Sequence, residues 1–290
     1  LEILMALMPH HYRTATLNCS FISGADYPMF RGLLKTASAS TFEISYDFGG
    51  MPPYLPEPVH LTTERRTMLN DLLTYSSQHY TINGNTYAKG LGESSTMMLM
   101  AKSMGHSGYE LFKNNLKNEL SDWFTFSASE QNSKQRYFAN YPDYGAMIGF
   151  APGYGSQGFN DLHFHNGYFI AGAARLMLVD PEFKRDFAGI TKLVAQNYAN
   201  WDRWEDTGNT YMPYLRTFDP YFGHSFAGGT GDGGGNNQES TSEAINSWFG
   251  LYLMGLALND KQITDAGITG YLLETITAGE YWLDLYGDNF

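Results

Sequence analysis

The spacing of apolar positions along this chain changes near residue 60. Before it, Thr14–Phe21 and Thr41–Tyr46 alternate polar with apolar and are rich in β-branched and aromatic residues, the pattern of half-buried strands. Leu1-Glu2-Ile3-Leu4 reads as the middle of a strand, not as a signal peptide or a natural start. Met51-Pro52-Pro53-Tyr54-Leu55-Pro56-Glu57-Pro58 holds four prolines in eight residues, which excludes helix and predicts an extended, semi-rigid linker. A domain boundary is expected there, dividing residues 1–60 from residues 61–290.

Beyond the boundary the period is helical. Thr62 and Thr63 open a helix to about Ser77, with Leu69, Leu72, Leu73 and Tyr75 on its apolar face. After a turn at Asn83-Gly84-Asn85, helices are expected over Thr86–Met104 and Gly108–Phe126. Residues 134–160, rich in Tyr and Gly, read as irregular structure or a β-hairpin. Helices resume over His165–Leu178 and Pro181–Tyr198, the latter with Pro181 in its first turn. Residues 199–235 have no clear period, and loops this long are usually functional. Helices over Glu239–Leu258 and Lys261–Trp282 follow. About seven helices in antiparallel succession predict a mainly α fold, an α/α hairpin array or toroid, with no internal sequence repeat.

Composition narrows the partners. The net charge of −12 in 290 residues argues against nucleic acid and anionic membranes. No apolar run approaches the roughly 20 residues of a membrane helix. The single Cys19 excludes an internal disulfide and a thiolate zinc cage. The 21 Tyr, 19 Phe and 5 Trp exceed what a core alone requires and suit stacking on the apolar faces of sugar rings.

Candidate chemistry falls in three clusters. In the first, Asp232 to Trp248, a glycine-rich loop leads into a helix, and Glu239 and Glu243 are expected on one face of it, four residues apart. Such a pair repels rather than stabilises; it is either a solvated helix start favoured by the dipole or a pair of acids split in pKa for acid/base work. The second cluster is Asn160-Asp161-Leu162-His163-Phe164-His165-Asn166-Gly167-Tyr168. In an extended segment Asp161, His163 and His165 would face one way. Zinc is one reading of this arrangement, with Asp161 or Glu239 completing the ligand set, but His-x-His alone is weak evidence for a metal. Asp161 as a general acid, its pKa raised by burial and a nearby carboxylate, fits better. Structural histidines that bond to neighbouring loops are the plainer alternative. The third cluster is Asp219 to Gly229, where His224 sits among aromatics and glycines that allow close backbone approach to a ligand. Pro9-His10-His11-Tyr12-Arg13 reads as a buried polar junction. No phosphate loop, EF-hand or Gly-x-Ser-x-Gly elbow is present.

At these motifs the chain resembles glycoside hydrolase family 81, the inverting endo-β-1,3-glucanases. Residues 160–170 resemble the family's Asn-Asp-His-His-Phe-His-Tyr-Gly-Tyr-Phe signature; Gly223-His224-Ser225-Phe226-Ala227 resembles Gly-His-Ser-Trp-Ala; Gln238-Glu239-Ser240-Thr241-Ser242-Glu243 resembles Gln-Glu-Ser-Ser-Ser-Glu. Pro9-His10-His11 and Lys89-Gly90-Leu91-Gly92 are shorter matches in the same order. The family's Tyr-Asp-x-x-Trp-Gly stands here as Asn140-Tyr141-Pro142-Asp143-Tyr144-Gly145, and Leu162, Asn166 and Phe226 also depart from the pattern. These departures bear on sugar subsites more than on the reaction.

The resemblance implies an (α/α)6 toroid, here short of its last helices, preceded by the C-terminal part of a β-sandwich and the Pro-rich linker. It implies Asp161 as general acid and Glu243 or Glu239 as the base that activates water. Glu243 is the choice made here, with Glu239 as its partner and substrate ligand. Substrate contacts are expected from His163, His165, Tyr168, His224, Asn237, Tyr144 and Trp248. An inverting pair needs a separation of roughly 6.5–9.5 Å to admit water; a loop Asp opposite a helix Glu can span it, whereas two acids on one helix face cannot straddle a sugar. The expected partner is a β-1,3-glucan, cut outside the cell by a monomer without cofactor or metal. Two rivals are a polysaccharide lyase, which binds anionic chains and usually displays a basic groove, and a non-catalytic glucan-binding protein, which has no use for three clustered acids.

Overall fold

In the computed structural model, residues 2–52, 60–79, 89–126, 136–150, 152–203, 212–231 and 237–288 are described. The Pro-rich stretch at 53–58, the Asn83–Asn85 turn and Asp232–Asn236 lie outside them. The chain is mainly α with small antiparallel sheets, the class that the pattern predicts. It divides into two compact units, one formed by Leu1–Met51, Asp219–His224 and Leu272–Phe290, the other by Pro52–Phe218 and Ser225–Tyr271.

In the first unit, β1 (Ile3–Leu7), β3 (Ser20–Met29) and β4 (Gly32–Ala39) form a sheet in the order β1-β4-β3. Ile3 pairs with Ala39 and Leu7 with Lys35. Tyr27 pairs with Leu34, and the register shifts between Phe21 and Asp26. Pro28 is tolerated because β3 is an edge strand, where a missing N–H breaks no ladder. The short strands β2 (Thr16–Leu17) and β5 (Ile44–Ser45) pair separately. The strand expected over Thr14–Phe21 is thus split between β2 and β3, and that over Thr41–Tyr46 shrinks to two residues. Pro9–Thr14 is a short helix, α1, whose His10 and His11 are buried. The polar junction read from the sequence is therefore a helix with both imidazoles turned inward.

The second unit contains α2 (Thr63–His79), α3 (Lys89–Met104), α4 (Tyr109–Phe124), the hairpin β6 (Phe138–Tyr141) and β7 (Ala146–Gly149), α5 (Leu162–Met177), α6 (Pro181–Ala199) and α7 (Thr241–Leu258). Helix α8 (Lys261–Tyr281) gives residues up to Tyr271 to this unit and the rest to the first. Along α5 every residue but Tyr168 is buried. A helix apolar on nearly all sides is a core helix, and two of its polar residues bond to neighbouring elements: Asn166 Nδ2 donates to the Val194 carbonyl at 3.2 Å, and Arg175 Nη1 to Ser95 Oγ at 3.2 Å.

Glycines set how closely α5 and α7 pack. A Cβ on Gly167 would come within 2.9 Å of Ser247 Cα, and one on Gly250 within 2.9 Å of the Ala171 amide nitrogen. Two backbones this close hold the first turns of both helices in fixed relation, and those turns carry Asp161 and Glu243.

Candidate active site

Asp161 is the N-cap of α5, in left-handed backbone conformation (φ 52°, ψ 26°). Left-handed Asp is several-fold more common than most non-glycine residues but still uncommon. Tyr154 and Phe159, with φ of 49° and 66°, share the conformation, and three such residues within eight positions mark a turn held by its surroundings. The end of the third cluster and Thr230 just after it supply the hold. The Asp161 amide donates to the Ala227 carbonyl at 2.9 Å, and the Thr230 amide and hydroxyl donate to the Gly158 carbonyl at 2.7 and 3.2 Å. Gly229 lies so close that a Cβ there would overlap the Gly158 carbonyl and the Asn160 amide. The expected close approach of this glycine to a ligand is thus an approach to the backbone beside Asp161.

Helix α5 begins at Leu162, three residues earlier than the pattern predicts, so Asp161, His163 and His165 are not in an extended segment. One helical turn separates Asp161 from His165, and His163 points elsewhere. A zinc set of these three therefore lacks its basis. Among the described residues no three His, Cys, Asp or Glu side chains are grouped to hold a metal ion.

Helix α7 begins at Thr241, not Glu239. Ser240 caps it, its Oγ accepting from the Glu243 amide at 3.4 Å. Glu239 stands before the cap and is exposed, so the two glutamates do not share a helix face. The Ser240–Glu243 spacing fits a capping box, but the Glu243 carboxylate is engaged by other helices. Its Oε1 accepts the Tyr168 hydroxyl of α5 at 3.0 Å and meets the Lys89 ammonium of α3 at 3.1 Å.

The electrostatics of the two acids diverge. Burial pushes Asp161 up to about 6, and the carboxylates of Glu239 and Glu243 push the same way, against the pull of Lys89. Asp161 is 8% exposed, and its Oδ1 has no hydrogen-bond partner among the described residues. Burial also acts upward on Glu243, but the hydrogen bonds from Lys89, Tyr168 and Ser240 overcome it and hold its carboxyl below the usual range. Burial holds His165 down at about 4, opposed by Glu243 and aided by Lys89, so its imidazole is neutral near pH 7. Burial and the Glu243 carboxylate raise Tyr168, which stays a donor. Below about pH 6 the arrangement pairs a protonated acid with an ionised one.

The other expected contacts divide. Tyr144 lies 77% exposed in the turn of the β6–β7 hairpin, and Asn237 is exposed while its carbonyl accepts from the Ala227 amide at 2.7 Å. The Tyr154 ring stacks at 6.2 Å on His165. Trp248 is 1% exposed: its Nε1 donates to Ser225 Oγ at 3.2 Å and its ring lies against Gly270. It is a core residue here, not a sugar platform. His163 is equally buried, its ring 4.1 Å from Phe164. His224 is fully buried in the first unit, where Nε2 contacts Arg31. Lys89 was not among the expected site residues, although its stretch Lys89-Gly90-Leu91-Gly92 is one of the shorter family matches and a lysine in the first turn of a helix stands against the dipole.

The description "Glycosyl hydrolase family 81 C-terminal domain" matches residues 65–289. A glucan endo-1,3-β-D-glucosidase of Acetivibrio thermocellus is 36% identical over 99% of this chain, and one of Thermobifida fusca is 30% identical over 99%. This chain spans only 37% and 38% of those two proteins. A solved structure of a mutant glycoside hydrolase family 81 protein from Clostridium thermocellum matches all of this chain and 40% of that one, at 34% identity and a TM-score of 0.87. With the family description covering most of its length and its whole fold shared with that structure, the chain belongs to glycosyl hydrolase family 81.

Proposed function

We propose that this chain carries the catalytic site of an endo-β-1,3-glucanase that hydrolyses β-1,3-glucan by direct water attack, with inversion and without cofactor. Asp161 is the general acid, giving its proton to the leaving glycosidic oxygen. Glu243 is the general base that activates water on the opposite face of the sugar. Glu239 is a partner carboxylate that helps keep Asp161 protonated and reaches the substrate. His165, Tyr168, Asn237 and Tyr144 are substrate contacts. In this reading residues 1–60 close a β-sandwich with its linker, residues 61–290 form the catalytic region, and a monomer acts on extracellular polymer.

One observation carries the reading: of two acids in one cluster, Asp161 is pushed up to about 6 while Glu243 is held down by Lys89 and Tyr168. Two titratable groups driven apart by their surroundings are what acid/base chemistry requires. The names of the relatives support the substrate class.

The test is release of reducing ends from laminarin or curdlan by the parent chain and by Asp161→Asn, with the product anomer followed by proton NMR. Activity that Asp161→Asn abolishes, with the α-anomer appearing first, is the expected result. Initial β-anomer would overturn inversion. A folded parent that binds glucan and releases nothing would overturn the hydrolase reading of this chain.

A further inference from the structure

Lys89 is the first described residue of α3, and the first described turn of that helix has no acidic residue. A cation there opposes the helix dipole, so α3 itself gains nothing from it. Folding gains little either. The Lys89 side chain is 61% exposed, and an exposed ion pair contributes little to stability. The lysine earns its place only through what it touches.

Lys89 touches Glu243 Oε1 at 3.1 Å, the oxygen that also accepts the Tyr168 hydroxyl at 3.0 Å. Two donors from two helices converge on one oxygen of a carboxylate carried by a third. Gly92, three residues along α3, lies against the Tyr168 ring: a Cβ there would meet Cδ1 at 3.1 Å. Helix α3 therefore meets both members of the Tyr168–Glu243 pair, one through the bare backbone of Gly92 and the other through the ammonium of Lys89. A carboxylate fixed at one oxygen loses rotamer freedom and presents one orientation to a water molecule.

We propose that Lys89 is a positioning residue for the hydrolytic reaction: it holds the Glu243 carboxylate charged and in one orientation, so that Glu243 rather than Glu239 serves as the base. The proposal deepens the function proposed above and rests on its assignment of Glu243. Lys89 does not touch the reacting atoms; it acts through Glu243. The base gives up some intrinsic basicity to the ammonium, and gains full ionisation and a fixed lone pair in return.

The experiment uses the 290-residue chain with its side-chain carboxyl groups labelled with carbon-13. The Glu243 signal is assigned by its loss in Glu243→Gln and titrated in the parent, in Lys89→Met and in Lys89→Arg. The pH profile of laminarin hydrolysis is recorded for the same three proteins. Lys89→Met is expected to raise the Glu243 midpoint by ~0.5–1 pH unit, the low end of a charge-partner effect because the Lys89 side chain is largely exposed. The acidic limb of kcat/KM should move up with it. Away from that limb kcat should fall about tenfold, the scale of a lost orienting contact, with KM little changed. Lys89→Arg should restore most of both. An unmoved Glu243 midpoint in Lys89→Met would overturn the proposal, as would a loss confined to KM or to thermal stability, since a structural role would cause that alone. If the parent itself cleaves no glucan, the functional reading falls, but the titration still decides whether Lys89 sets the charge state of Glu243.

Discussion

Among the described residues each unit holds a cluster of buried titratable groups, and the electrostatics of the two clusters differ. In the first unit His10 Nδ1 lies 2.6 Å from the Tyr281 hydroxyl, His11 Nδ1 accepts from the Met8 amide at 3.1 Å, and Arg31 contacts His224. His10, His11, Arg31 and Tyr281 are each driven toward the neutral form. Burial takes His10 down to about 2, with His11, His224 and Arg31 pushing the same way, and holds His11 at about 4. Burial also lowers Arg31 and raises Tyr281. In the second unit burial again acts on Asp161, His165, Tyr168 and Glu243, but Glu243 escapes it through Lys89 and Tyr168 while Asp161 does not. Burial and perturbation are common to both clusters. Opposite displacement of two like groups belongs to one, and it is the better guide to chemistry.

Asp161→Asn should break the contrast most sharply. Asn keeps the shape and cannot donate the proton, so activity should fall by ~10²–10⁴-fold, the usual range for a lost general acid. Stability should move the other way. With a folded value of about 6 against 3.8, the folded chain holds a proton that the unfolded chain releases, so stability is lost as pH rises from 3.8 through 6. Asn removes that penalty, and Asp161→Asn should be more stable at pH 7 by on the order of 1 kcal/mol. Reducing-sugar assays and thermal melts on one preparation check both signs. The parent's activity should itself decline as pH rises through about 6, where Asp161 loses its proton.

Gly229→Ala comes next and probes position without touching charge. The new Cβ has only the Gly158–Asn160 backbone to displace, so the turn carrying Asp161 must shift. A misplacement of about 1 Å costs up to ~10²-fold in rate, and overpacking costs ~1–3 kcal/mol. The expected signature is a fall in kcat with an unchanged pH profile. Melting without loss of specific activity in the folded fraction would show the clamp to be structural only.

Much of this was legible in the sequence, and what was not has particular causes. The long helices announced themselves by period: α6 was placed to within a residue by Pro181 and its apolar face, and α4 to within two residues. The acids at the site were visible as residues, but their backbone was not. Asp161-Leu162-His163-Phe164-His165 alternates like a strand, and short runs of that kind do not separate helix from strand. Its helix is fixed from outside, by the 226–230 segment. Glu239 was lost to helix α7 because Ser240 wins the cap, a competition between two adjacent polar residues that spacing does not weigh. The β3–β4 hairpin went unread because Gly24 and Pro28 interrupt the alternation and the register shifts inside the strand. Trp248 looked like a sugar platform because it follows the motif, while tertiary packing on Gly270 buries it.

The imidazole cluster offers the converse test. His10 and His11 are held below 6.5 in the folded chain, so the unfolded chain binds more protons as pH falls below 6.5, and stability declines with it. The His11 share is exhausted near pH 4, and His165 adds a share of the same sign over the same window. Each imidazole can remove about 1.4 kcal/mol per pH unit within its window. His10→Gln retains a polar group toward Tyr281 and removes one titration. The parent's melting temperature should fall between pH 7 and pH 5, and His10→Gln should flatten that fall while lowering stability at pH 7 by ~1–2 kcal/mol. An undiminished slope would place the acid sensitivity elsewhere. Rate near the optimum should be unaffected, which separates this cluster from the carboxylates.

Tyr168→Phe should have the smallest effect and sharpens the contrast within the proposed catalytic cluster itself. It removes one of two donors to Glu243 Oε1 and leaves Lys89 in place at 3.1 Å. A hydrogen bond to a charged group contributes ~1.5–3 kcal/mol when buried, and Tyr168 is only partly buried, so the loss should lie at or below the lower end. That corresponds to a fall in kcat of roughly tenfold or less. The acidic limb should rise slightly, because the lost hydroxyl had favoured the charged form of Glu243. If the two donors act on one oxygen as a unit, Tyr168→Phe combined with Lys89→Met should cost more than the sum of the single losses, since each single variant leaves the other donor to hold the carboxylate. Strict additivity would mean that each donor contributes alone and that convergence on Oε1 confers nothing beyond charge.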